Sequence, residues 1–189
     1  MKTKKILLIV DYQKDFVTGS LGFEDAKKLD RGISEKAMEY MNNNDFIVYT
    51  LDTHKEDYLS TVEGKNLPVE HCIEGTEGHD LYGETAVTIN AIKKNFNYQY
   101  ISSIEKETFG SIRLGTALSE LVSLKALDEV TVEIVGVVTN ICVISNAIIC
   151  KAALPNARII INSNLCASND KEMEQKAYEI MRNLHMEVI

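Results

Sequence analysis

At 189 residues, with 45% hydrophobic and 25% charged residues and only two prolines, the chain reads as one compact domain over 1–189, not as a disordered or fibrous polymer. A net charge of −8 argues against a nucleic-acid partner or an anionic membrane surface. No apolar run approaches the roughly 20 residues of a membrane span. The apolar run at 6–10 is shorter than the roughly 7–15 residues of a secretion signal and meets Asp11 with no small-residue cleavage site. A cytoplasmic protein is expected, with its four cysteines as reduced thiols.

In chain order, a strand over 5–10 is followed by Asp11, a helix over 26–42 stopped by Asn43 and Asn44, and a strand over 46–51 that leads to Asp52 and His54. The stretch 53–83 has little periodicity, and loops of that length in compact domains are functional or disordered. It carries His71 and His79. A weaker helix over 84–94 precedes a strand over 98–104, which runs into Lys106. Then come a helix over 111–125, a strand over 129–138, a helix over 140–153, a strand over 158–162, a helix over 169–184 capped by Asn169 or Ser168, and a last strand over 186–189.

This alternation predicts an α/β domain of three layers, a mostly parallel sheet with helices on both faces. Such sheets bind ligands beyond the carboxyl ends of their strands, where the strand order reverses. The informative residues are those that follow each strand: Asp11, Asp52, His54, Lys106 and the segment 136–142.

Cys142 falls at the predicted start of a helix, where unpaired N–H groups favour a thiolate. Lys106 would favour it further, and Asp11 could carry the thiol proton to a leaving amine. The amides of the 136–142 turn could hold an oxyanion. On spacing alone, Asp11 and Lys106 equally suit an ordinary ion pair, and Cys142 a core position. Asp52 and His54, at i and i+2 of an extended segment, point to one side and could grip a metal with His71 and Glu63. Two imidazoles and carboxylate suit zinc, iron(II) or manganese; the alternative is a polar loop with solvated histidines. Cys72, Cys150 and Cys166 are read as core residues, His79 and His185 as surface residues.

The segments "LLIVDYQKDFVTGSLG", "TLDTHKEDY", "HCIEGTEGHDLYG", "EKETFGS" and "GVVTNICV" resemble, in that order, the motifs of the isochorismatase-like cysteine hydrolases, and within them the nicotinamidase/pyrazinamidase branch. The resemblance covers nearly the whole chain. It implies a six-stranded parallel sheet and a catalytic triad of Asp11, Lys106 and Cys142. It also implies a cis Val137–Val138 bond, an oxyanion hole at the amides of Val138 and Cys142, and one divalent transition metal on Asp52, His54 and His71 with Glu63 as an extra ligand. The metal would be zinc, with iron or manganese as alternatives. Phe16, Leu67 and Phe109 match the wall of the substrate pocket.

The implied activity is conversion of the small-molecule amide nicotinamide to nicotinate and ammonia through a thioester, a step of NAD salvage, in a homo-oligomer. The alternative is a related cysteine amidohydrolase acting on another small amide or carbamoyl compound. Two departures bear on substrate: "NLPVEH" lacks the aromatic residue and double proline found before the third metal ligand, and Gly110 and Ser111 reverse the usual order.

Overall fold

The computed structural model describes residues 3–95 and 100–189. Strands β1 (Thr3–Val10), β2 (Phe46–Asp52), β3 (Ile101–Lys106), β4 (Glu129–Val137), β5 (Arg158–Ala167) and β6 (Glu187–Val188) pair in parallel throughout, in the order β3-β2-β1-β4-β5-β6. The helices are α1 (Lys14–Val17), α2 (Glu24–Lys27), α3 (Asp30–Asn42), α4 (Val62–Asn66), α5 (Gly83–Lys94), α6 (Ile112–Lys125), α7 (Ile144–Ala153) and α8 (Lys171–Asn183).

Side chains alternate across β1 and enter two cores. Ile6, Leu8 and Val10 meet Leu118 of α6, Ala147 of α7 and Met181 of α8. Leu7 and Ile9 meet Ile33 of α3 and Ile89 of α5. Because both faces are covered, β1 reads as an unbroken apolar run, and each buried Leu or Ile contributes about 1.5–3 kcal/mol. The expected three-layer α/β architecture with six parallel strands is what the chain forms. Strand order reverses between β1 and β4, so the crevice for a ligand opens where Val10 and Val137 end.

Gly136 shapes that crevice. Its φ of +117° lies outside the range of ordinary L-residues, and a Cβ there would overlap the carbonyl oxygen of Val10. Pairing between β4 and β5 slips between Ile134 and Gly136, and the following Val137–Val138 peptide is cis. The strand therefore leaves the sheet and turns into the segment that carries Cys142.

Several boundaries differ from expectation. The helix over 26–42 is broken into α2 and α3, and Asp30 at the break accepts hydrogen bonds from the first amides of α5, Glu84 N at 2.8 Å and Thr85 N at 2.9 Å. β5 continues past 162 because Asn162 is buried and donates to Glu133 at 2.8 Å, so a polar residue did not end the strand. Asp170, not Asn169 or Ser168, caps α8 by accepting from Met173 N at 3.0 Å. Of the strand expected over 98–104, residues 98 and 99 lie outside the described residues. The 53–83 stretch is not without structure: it holds single 3-10 turns at Tyr58–Ser60 and Glu77–His79, and α4.

Candidate active site

Asp11 is the first residue beyond β1, held in the left-handed region at φ 46°. Lys106 ends β3, and Cys142 lies in a π-helical turn, Thr139–Val143, that leads into α7. The Lys106 ammonium is 2.7 Å from Asp11 Oδ2, 3.0 Å from Asp52 Oδ1 and 3.8 Å from Cys142 Sγ. Asp11 Oδ1 accepts from the Thr50 hydroxyl at 2.6 Å. All of these groups are buried, so their charges act through little solvent.

The protonation balance differs from the sequence expectation. Cys142 sits inside the π turn, not at the first residue of a helix, and burial pushes its thiol well above the ordinary range, with Lys106 opposing. Burial also raises the Asp11 carboxyl, against the pull of Lys106. Burial alone would lower the Lys106 ammonium, but Asp11, Cys142 and Asp52 hold it well above its usual value. Burial thus disfavours the charged thiolate that the neighbouring cation favours, and it makes the Asp11 carboxylate more basic than usual. Asp11 is near enough to that thiol for its charge to push it up as well.

Asp52, His54, Glu63 and His71 form a second cluster, each with a ligand atom within 4.8 Å of the others. Asp52 Oδ2 lies 3.1 Å from His54 Nε2 and 3.4 Å from His71 Nε2; Glu63 Oε1 lies 3.6 Å and 3.8 Å from the same two nitrogens. These separations suit one ion, since ligands at metal distances of about 2.1 Å on a tetrahedron stand about 3.4 Å apart. The donor chemistry fits as well. His71 Nδ1 faces the Val69 carbonyl at 2.8 Å, which can only accept, so the proton sits on Nδ1 and the Nε2 lone pair faces the cluster. Against burial, a hydrogen bond from His54 and the charge of Lys106 hold the Asp52 carboxyl far below the usual range.

A cavity of about 350 Å³ joins the two clusters. Cys142 and Val138 line one part of it, and Asp52, Glu63 and His71 another. Phe16, Leu67 and Phe109 line the same space. His54 reaches the cluster from outside that lining, against the Tyr58 ring at 4.6 Å. His185 is exposed as expected, but His79 is half-buried, its Nε2 2.8 Å from the Thr53 hydroxyl.

Sequence reasoning missed the residues that act through backbone. Gln13 is fully buried; it donates to the carbonyls of Asp52 at 2.8 Å and His79 at 2.9 Å, and accepts from Asp52 N at 2.8 Å. Its spacing from Asp11, i to i+2, was the available signal. Asp15 accepts from Cys72 N at 2.7 Å and ties the metal loop to α1. Phe23 adds an aromatic to the wall beyond the expected Phe16, Leu67 and Phe109.

The isochorismatase domain family matches residues 5–189. The uncharacterized isochorismatase family protein PncA of Bacillus subtilis (strain 168) is 30% identical over 172 residues, 89% of each chain. The crystal structure of pyrazinamidase/nicotinamidase from Streptococcus mutans UA159 has a TM-score of 0.82 and 30% identity, covering 98% of this chain and 100% of that one. The pyrazinamidase of Pyrococcus horikoshii in complex with zinc shares the fold, with a TM-score of 0.77, 22% identity and 98% of each chain covered. The chain belongs to the isochorismatase domain family and is an amidohydrolase with the architecture of a nicotinamidase.

Proposed function

We propose that the protein hydrolyses nicotinamide to nicotinate and ammonia, with pyrazinamide as a second substrate. The observation that carries this reading is the single cavity in which Cys142 faces the Asp52, Glu63 and His71 cluster across aromatic walls. Asp11 takes the Cys142 proton as the sulfur attacks the carboxamide carbon. The amides of Val138 and Cys142 hold the oxyanion, and its collapse breaks the C–N bond while Asp11 returns the proton to the leaving ammonia. Asp11 then removes a proton from water, which opens the thioester and releases nicotinate and the thiol. Lys106 keeps Asp11 placed and offsets the negative charge that develops on sulfur.

A divalent transition metal, zinc foremost, would be held by Asp52, His54 and His71 with Glu63, and when bound supplies an electrophilic position for the ring nitrogen. Phe16, whose ring meets His71 at 5.4 Å, and Phe109 then fix the ring plane, which is the advantage of a reactant held in place. The four free cysteines agree with a cytoplasmic setting.

The test is ammonia release from nicotinamide by wild type and Cys142→Ala, with metal analysis of both. Release that needs Cys142, with about one transition metal per chain, supports the reading. A reactive Cys142 without release overturns nicotinamide in favour of another small amide, and points to the wall at Leu67, an aliphatic residue 37% exposed.

A further inference from the structure

Asn146 of α7 is fully buried, faces none of the ionisable groups named above, and uses its whole amide. Nδ2 donates to the carbonyls of Cys142 at 2.9 Å and Phe109 at 3.0 Å, and Oδ1 accepts from Ser111 N at 3.1 Å. One side chain thus joins the helix behind the nucleophile to both ends of the short turn between Phe109 and Ser111. That turn lies close on α7: a Cβ at Gly110 would stand 2.7 Å from Ile149 Cδ1 and 3.3 Å from Ser145 Cβ. Ser111 in turn caps α6, accepting from Leu114 N at 3.2 Å.

Phe109 itself is 44% exposed and lines the same cavity as His71 and Cys142. A half-exposed aromatic on a short turn has few packing contacts to fix it, so its place depends on what holds its backbone. Asn146 is that hold, and the same amide grips the carbonyl of Cys142. One side chain therefore ties the cavity wall directly to the backbone that carries the sulfur.

We infer that Asn146 is a positioning residue: it locks the Phe109 wall to the backbone of Cys142 and so sets the substrate ring against the thiol. The inference rests on the proposed role of Cys142 and Phe109. The variants Asn146→Ala and Asn146→Ser separate the two bonds. A serine hydroxyl can still bond back to the carbonyl four residues earlier, which keeps the helical contact and the fold, but it cannot reach Phe109.

The experiment is a cycle of Asn146→Ala, Asn146→Ser, Phe109→Ala and the two double variants in the metal-loaded enzyme, reading KM and kcat for nicotinamide separately. Both single Asn146 variants should raise KM about tenfold, inside the roughly 100-fold that a misplacement of about 1 Å can cost. In the Phe109→Ala background the same changes should add less than about twofold, because coupled residues do not add. Multiplying effects would overturn the inference and leave Asn146 a stabilising residue only. If wild type releases no ammonia, the proposed substrate fails while the inference does not. The same cycle is then read from the iodoacetamide rate at Cys142, where coupling with Phe109 supports it and additivity overturns it.

Discussion

The thiol cluster and the metal cluster share one cavity but rest on different supports. Asp11 and Lys106 stand at the ends of β1 and β3, and Cys142 just past β4, on strands locked by parallel pairing, with β1 and β4 buried in the middle of the sheet and β3 at its edge. His71 and Glu63 come instead from the 53–82 connection, held by α4, by the Asp15 contact to Cys72 N, and by the bridge between His54 and Ile73. The first cluster inherits its precision from the sheet. The second has to be fastened point by point, and Asp52, at the end of β2, belongs to both: one oxygen faces Lys106 and the other the two histidines.

The largest effect should follow from removing that shared group. Asp52→Asn would take a ligand from the proposed metal and a counter-charge from Lys106 in one step. His71→Ala takes only a ligand. We expect kcat/KM for nicotinamide to fall on the order of 1000-fold in Asp52→Asn and about 100-fold in His71→Ala. Metal content should drop in both, but only Asp52→Asn should change the rate at which iodoacetamide modifies Cys142. Equal alkylation rates in the two variants would show that the clusters are merely neighbours.

A smaller effect should follow from Gln13, which grips both backbone groups of Asp52 and reaches across to His79. In Gln13→Leu those groups lose buried partners, a change worth about 2–4 kcal/mol of stability. Metal affinity, measured by chelator competition, should weaken about 10–100-fold, as is usual when the support of a ligand is removed. Wild-type affinity in this variant would mean that sheet pairing alone is enough to place Asp52.

How much of this could be read from the chain follows the same division. Strands such as β1 and β2 are legible because burial on both faces requires continuous apolar runs, and a charged residue closing such a run marks the edge where ligands bind. Asp11 and Asp52 were found in that way and Lys106 as the residue beyond a half-exposed edge strand, whereas the grouping of His71 and Glu63 with them depends on a loop path that no periodicity records. Gln13 escaped because its partners, the backbone groups of Asp52 and His79, lie far along the chain, and Asn146 because two of its three, at Phe109 and Ser111, do as well. The place of Cys142 was hidden for a related reason: the sequence shows a strand followed by a helix, but not that a π turn buries the sulfur before the helix begins.

The smallest effect lies at the surface, where α2 and α8 are tied by charge. Lys171 Nζ is 2.9 Å from Asp25 of α2 and 3.0 Å from Glu174, whose other oxygen accepts from the Thr139 hydroxyl at 2.9 Å, next to Val138. Hydrogen bonds from Lys28 and Lys171 hold the Asp25 carboxyl down at about 2. Its folded value lies below the unfolded one of about 3.9, so the stabilisation is present in full above about pH 5, shrinks to about half near pH 3, and is lost below about pH 2. Asp25→Asn should lower Tm by no more than about 3 °C at pH 7, since the group is exposed and screened, and the deficit should close as the pH falls through that window. Neither KM nor the alkylation rate of Cys142 should move, because the sheet and not this surface tie places the sulfur. A change in either would mean that α2 and the π turn are held together from outside, and that the cluster at the sheet edge is fastened point by point like its neighbour.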